Sequence, residues 1–233
     1  LVPASALSPA LSPLYSSYYA VELANLLQLD SRLDLGARNG YPSPANLLLS
    51  GAISGAAGLD IYTNTTLSGA NSFSGGVNLY AGSLTLGSNS ALGAGDLNVI
   101  PKGGYSPSLV VDANRQVSNN LYLTPGSTSY SQLSVSGAGS LELKGTVTLQ
   151  GAYTLYPSTF PLTLSGTVTG PGGLNVAGYA PLILSGSNSY QGGTTSSGGA
   201  AVFGSVCGTW ETSEPEIPGE TGCAELTYLG VTL

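Results

Sequence analysis

The chain has 233 residues, enough for one long domain or two small ones, and only 7% of them are charged, far below the quarter or so of an ordinary soluble domain. A net charge of −7 with five basic residues excludes a nucleic-acid or anionic-membrane partner, since both are held by Lys and Arg. The absence of His excludes every His-based catalytic or metal site.

The low charge has a further consequence. A soluble surface needs charge to stay solvated, so much of this one is neutral-polar or covered by other chains. No apolar run approaches the roughly 18 residues of a membrane span; Leu47 to Leu49 is far too short. The chain starts at Leu1 without an initiator Met, which reads as a product whose leader has been removed.

Residues 1–46 open with a Pro-Ser segment, LVPASALSPALSPLY. In SYYAVELANLLQLDSRL that follows, Tyr19, Leu23, Leu26 and Leu27 share one helical face, and Ser17 can cap it. This predicts one short N-terminal helix. Tyr15, Tyr18 and Tyr19 cluster nearby, and Tyr suits an interface as well as a core.

Residues 47–206 carry an internal repeat. LLLSGAISGAAGLDI at 47–61 matches LTLSGTVTGPGGLNV at 162–176, an offset of 162 − 47 = 115. LSGANSFSGG at 67–76 matches LSGSNSYQGG at 184–193, an offset of 184 − 67 = 117. Ser136 to Gly145 is a weaker echo. Between the glycines, apolar residues alternate with polar ones: Leu84/Leu86, Leu97/Val99, Leu121/Leu123, Leu133/Val135, Leu141/Leu143, Val147/Leu149, Leu162/Leu164 and Leu174/Val176. Short period-2 strands every 8–12 residues or so predict an all-β fold. A sandwich, a barrel and a β-solenoid all fit that pattern, and the repeat favours the solenoid, in which stacked β-arches form a parallel β-helix-like coil.

The glycines Gly51, Gly55, Gly58, Gly75, Gly76, Gly166, Gly170, Gly173, Gly192 and Gly193 recur at the repeat turns. With Gly103-Gly104, Gly172 and Gly198-Gly199 they read as tight turns needing positive φ, because none has the phosphate-loop form G-x-x-x-x-G-K-(S/T). Asn64-Thr65-Thr66 fits the glycosylation sequon, which predicts a surface turn there.

Residues 68–76 (SGANSFSGG), 79–99 (LYAGSLTLGSNSALGAGDLNV), 113–123 (ANRQVSNNLYL) and 182–195 (LILSGSNSYQGGTT) together resemble the autotransporter-associated β-strand repeat. The resemblance implies a right-handed parallel β-helix from a very large secreted or surface protein. It carries no catalytic residues.

Residues 207–233 hold Cys207, Cys223 and five of the twelve acids. The two cysteines read as a disulfide, within the chain or between subunits, and so as an oxidising, extracellular location. Closing such a loop stabilises by about 3 kcal/mol. Glu211, Glu214 and Glu216 read as a solvated acidic loop, with weak Ca²⁺ binding as the alternative. The run Leu226 to Leu233 is strand-like. Each end is expected either to cap the solenoid or to join it to the next subunit by strand addition.

For paired-carboxylate sugar cleavage, Asp30 and Asp34 lie one helical turn apart on an expected surface, and no second pair marks a cleft. The expectation is a protein without enzymatic activity, cofactor, resident metal or small-molecule substrate. Its expected partner is itself, as a structural subunit assembling into an extracellular sheath, filament or surface layer. The alternative is an autotransporter-like passenger fragment acting as a cell-surface adhesin or stalk.

Overall fold

The computed structural model describes residues 2–3, 20–36, 43–126, 131–197 and 201–203. These form an all-β parallel β-solenoid. Every strand pair is parallel, so no hairpin returns the chain to its neighbour. The chain instead travels round the coil and lands one layer higher. Asn46 pairs with Asn64 and Leu109 with Val135, so one turn takes between 64 − 46 = 18 and 135 − 109 = 26 residues.

Three sides result. The first is a nine-stranded sheet running from Ala20–Leu23 through Thr63–Leu67 and Ser83–Leu86 to Thr194–Ser196. Another is a seven-stranded sheet from Leu33–Leu35 to Val168–Thr169. The side between them carries a three-stranded sheet in the early coils and a five-stranded sheet in the late ones. In the two intervening coils that side is irregular chain. It stays in the stack because Ser74 donates to the Gly55 carbonyl and Ala94 to the Phe73 carbonyl, at 3.0 and 2.8 Å. Seven coils carry a strand on both long sheets.

Period-2 alternation decides what is inside. In Leu97–Val99, Leu121–Leu123 and Val147–Leu149 the outer two residues are buried and the middle one faces out. Stacked in register, such residues form continuous columns: Leu97 on Leu121, Leu121 on Val147. Phe73, fully buried, fills the core where the irregular side lacks a strand. Tyr153 is also fully buried and places its hydroxyl 3.3 Å from the Gln132 carbonyl, to which it donates. Burial pushes that hydroxyl's pKa far above the usual value, so it stays a neutral donor. Tyr153→Phe is expected to cost about 1 kcal/mol in urea unfolding, the net worth of one such bond.

The expected N-terminal helix is not there. Ala20–Leu23, Leu27–Leu29 and Leu33–Leu35 are strands of the first coil, with Leu27, Leu29, Leu33 and Leu35 buried. Leu27 belongs to the expected helical face as well as to the period-2 set Leu27, Leu29, Leu33 and Leu35. A short helix must meet its nucleation cost alone, whereas these strands gain a ladder to 43–61 and a place in the core. Leu26, on the expected helix face, is 65% exposed at a corner. Ser17, Tyr15, Tyr18 and Tyr19 lie outside the described residues, as do Cys207, Cys223 and the acidic loop.

The glycines serve two purposes, not one. Gly55 and Gly170, equivalent in the repeat, have φ of 112° and 113°, and Gly76 and Gly193 have 69° and 71°. These positions favour a residue without a Cβ, as expected. Gly51, Gly58, Gly75, Gly166, Gly173 and Gly192 do not have positive φ. They sit where the backbone of a neighbouring coil, below or above, comes too close for a side chain. A Cβ on Gly51 would overlap the Asn25 carbonyl oxygen, and one on Gly166 the Gly145 carbonyl oxygen. Gly145, Gly166 and Gly186 thus form a corner column, each against the carbonyl beneath it, with Asn119 at its base.

The internal repeat also differs from a whole number of turns. Leu47 to Leu49 belong to the nine-stranded sheet, but their counterparts Leu162–Leu164 belong to the five-stranded one. Leu59–Ile61 lies in the seven-stranded sheet and Leu174–Val176 in the nine-stranded one. The repeated unit is therefore a side plus its corner, and it has moved round by one side. All three sides ask the same thing of the sequence, namely L-x-L followed by a tight corner.

Candidate functional site

With the core columns assigned, the outward residues define the surface chemistry, and the two long sheets differ. On the seven-stranded sheet, Asp34, Asp60, Asn78 and Asn98 stack in register. Asn98 Nδ2 donates to Asn78 Oδ1 at 3.0 Å, and Asn78 Nδ2 donates to Asp60 Oδ1 at 2.8 Å. Arg32 reaches the same Asp60 oxygen at 3.0 Å and the Leu59 carbonyl at 3.1 Å, and also donates to the Gly75 carbonyl. Asp60 is only 7% exposed. This ladder is committed to its own hydrogen bonds and ties the first coils together.

Asp30 sits at an exposed corner and accepts from Gln28 Nε2 at 3.0 Å, while Asp34 points out from a strand. The pairing that the structure makes, Asp34 beneath Asp60 with Arg32 alongside, was not visible in the sequence because the partners are 26 and 28 residues apart. Only the coil register brings them together.

The nine-stranded sheet is different. Its described outward side chains from Asn46 to Thr195 include Leu48, Asn64, Thr66, Ser83, Thr85, Ser108, Val110, Ser134, Ser136, Thr154, Tyr156 and Asn175, and none is charged. Hydroxyls and amides recur about every 4.8 Å up the sheet, the spacing of neighbouring strands. Two shallow hollows lie on it. One of about 290 Å³ is lined by Asn46, Asn64, Thr66, Ser83, Thr85 and Val110. The other, about 300 Å³, is lined by Ser131, Tyr153, Thr154, Asn175 and Thr195, among others.

Asn64 is part of this side. It lies within the strand Thr63–Leu67, not on the turn its sequon predicts. Its Nδ2 donates to Asn46 Oδ1 and its Oδ1 accepts from the Ser83 amide, both at 3.1 Å. A glycan on that nitrogen would replace one of its two hydrogens and leave one to donate.

A second feature is a corner column of aromatic rings. Tyr62 and Tyr80 stack with centroids 4.7 Å apart, and Lys102 Nζ lies 3.8 Å from the Tyr80 centroid. A cation over the outer ring face covers the end of the stack with a favourable electrostatic contact.

Over about half its length the chain is similar to an autotransporter adhesin. A stretch of 109 residues, 47% of the chain, is 32% identical to the adhesin BmaC autotransporter of Brucella suis biovar 1 (strain 1330). The chain spans about 3% of that protein's length. No model of a known protein family matches the chain, and no solved structure matches it. The similarity agrees with the repeat resemblance seen in the sequence, and the stacked parallel coils are the fold that resemblance implies.

Proposed function

We propose that this chain is a passenger-like segment of a cell-surface adhesin, a solenoid stalk whose nine-stranded side, uncharged from Ser43–Leu49 onward, makes the adhesive contact. The similarity to an autotransporter adhesin carries the reading. The fold supports it, because a stack of coils extends reach by about 4.8 Å per layer without changing its cross-section. The nine-stranded side supports it too. In a chain of net charge −7 it keeps charge away over eight successive strands. Such a side gains nothing from an ionic partner and suits a neutral, hydroxyl-rich one such as an uncharged glycan.

Beads coated with the purified chain are expected to adhere to host-type cells or neutral glycan surfaces. Thr85→Asp with Ser134→Asp should reduce adhesion at least tenfold while leaving thermal unfolding unchanged, since both side chains point outward. Coated beads that bind no better than bare ones would reject the adhesin reading. Equal loss from charges placed on the seven-stranded side would reject the choice of side.

The second reading, a self-assembling sheath or filament subunit, draws on the parallel sheets, whose end strands pair on one edge only among the described residues. Sedimentation at rising concentration separates the two: a species that stays monomeric rejects the sheath.

A further inference from the structure

Over four successive coils, the outward residues of the nine-stranded side fall into two columns of different chemistry. Asn46, Asn64, Ser83 and Ser108 stack as one. Two residues further along each strand, Leu48, Thr66, Thr85 and Val110 stack as the other. The first column presents amides and hydroxyls. The second presents methyl groups, with two hydroxyls among them. The columns lie about 6.7 Å apart, twice the rise per residue of a strand, and step about 4.8 Å from coil to coil. Both line the hollow of about 290 Å³.

The polar column is held in place before any ligand arrives. Asn64 accepts from the Ser83 amide and donates to Asn46 Oδ1, both at 3.1 Å, so three coils share one ordered row. Ordering of this kind removes part of the entropic cost of binding. Among the described residues the hydroxyls of Thr66, Ser83, Thr85 and Ser108 enter no hydrogen bond, and all four side chains are partly exposed. The Asp60–Asn78–Asn98 ladder of the seven-stranded side is the opposite case, its groups being taken up by one another.

A polar row beside an apolar row suits a flat ligand that is neutral and carries its hydroxyls at the rim. A pyranose with equatorial substituents has that form, because its faces carry only C–H bonds. Joined through equatorial bonds, such rings make an extended chain whose step per sugar is close to the coil step. Rings joined through axial bonds make a chain that curls away from a flat sheet. None of the eight residues is charged, so an acidic sugar would find no Arg or Lys for its carboxylate. Resting on the adhesive role assigned to this side, we propose that the two columns hold an extended, β-linked neutral glycan running parallel to the solenoid axis, one sugar to each coil. The Asn46–Ser108 column hydrogen-bonds the rim hydroxyls, and the Leu48–Val110 column packs its methyl groups against the ring faces. Four coils make four subsites, so binding strengthens with chain length up to four sugars.

Cello- and malto-oligosaccharides are both neutral glucose chains and differ only in linkage, so they test this directly. In titration calorimetry on the full chain, cellotetraose should bind at least tenfold more tightly than cellobiose, and at least tenfold more tightly than maltotetraose. Thr85→Asp should weaken cellotetraose binding at least tenfold. Thr154→Asp, on the same side but outside this hollow, should leave it within twofold, with thermal unfolding of both variants unchanged. Equal affinity for the two tetraoses, or no measurable binding of cellotetraose, overturns the proposal. A loss in Thr154→Asp as large as that in Thr85→Asp overturns the placement on these four coils. Coated beads that adhere to cells while cellotetraose does not bind strike the glycan and leave the adhesin reading standing. Should Thr85→Asp unfold, the length and linkage comparison on the wild-type chain still decides.

Discussion

Gly166→Val is expected to lower unfolding free energy by at least about 3 kcal/mol, among the largest effects of any single substitution in this chain. Gly166 stands in the middle of a corner column, with Gly145 below and Gly186 above. A Cβ would overlap the Gly145 carbonyl oxygen, which is backbone and cannot swing aside as a side chain does. Relief requires the coils to separate at that corner, and separation breaks hydrogen bonds such as Ser165 N–H to Leu143 O, 2.9 Å. Urea unfolding followed by circular dichroism reads the loss. Gly193→Ala is the control: its Cβ meets open space, so only the cost of its positive φ remains, about 1 kcal/mol.

Arg32→Met is expected to cost about 3 kcal/mol, the penalty of stranding a buried partner of an ion pair. Asp60, nearly buried, would keep only Asn78 Nδ2 as a donor, with Asp34 directly below it in register. The Leu59 and Gly75 carbonyls would also lose the guanidinium. Adding Asp60→Asn to Arg32→Met should recover more than half of the loss, because the stranded charge is then gone. Equal stability of the single and double variants would show that the carbonyl contacts, not the ion pair, hold the first coils.

Much of the fold could be read from residues that repeat. The L-x-L runs from Leu84 to Val176 are strands with the faces their alternation implies, because burial on one side of a sheet leaves no other register. The helix expected at residues 17–33 failed for a definite reason. Leu23, Leu26 and Leu27 suit a helix locally, but the ladder to the next coil lies outside any local window. The same limit hid the Arg32–Asp60–Asn78 ladder and the stacking role of Gly51 and Gly166. Each depends on which residue lies one coil below, and the steps vary from 18 to 26 residues. Composition did announce the surface: so few charges leave long stretches of a side without any, although not which side.

The displaced repeat has a consequence for how such chains lengthen. Because the duplicated unit is one side with its corner, adding a single unit preserves the core columns but hands every later segment to the neighbouring side. Growth by duplication thereby turns surface features around the axis like the stripe on a barber's pole. A long relative could present one contact patch in several compass directions, and selection could re-aim it by inserting about six to nine residues, without inventing any new packing.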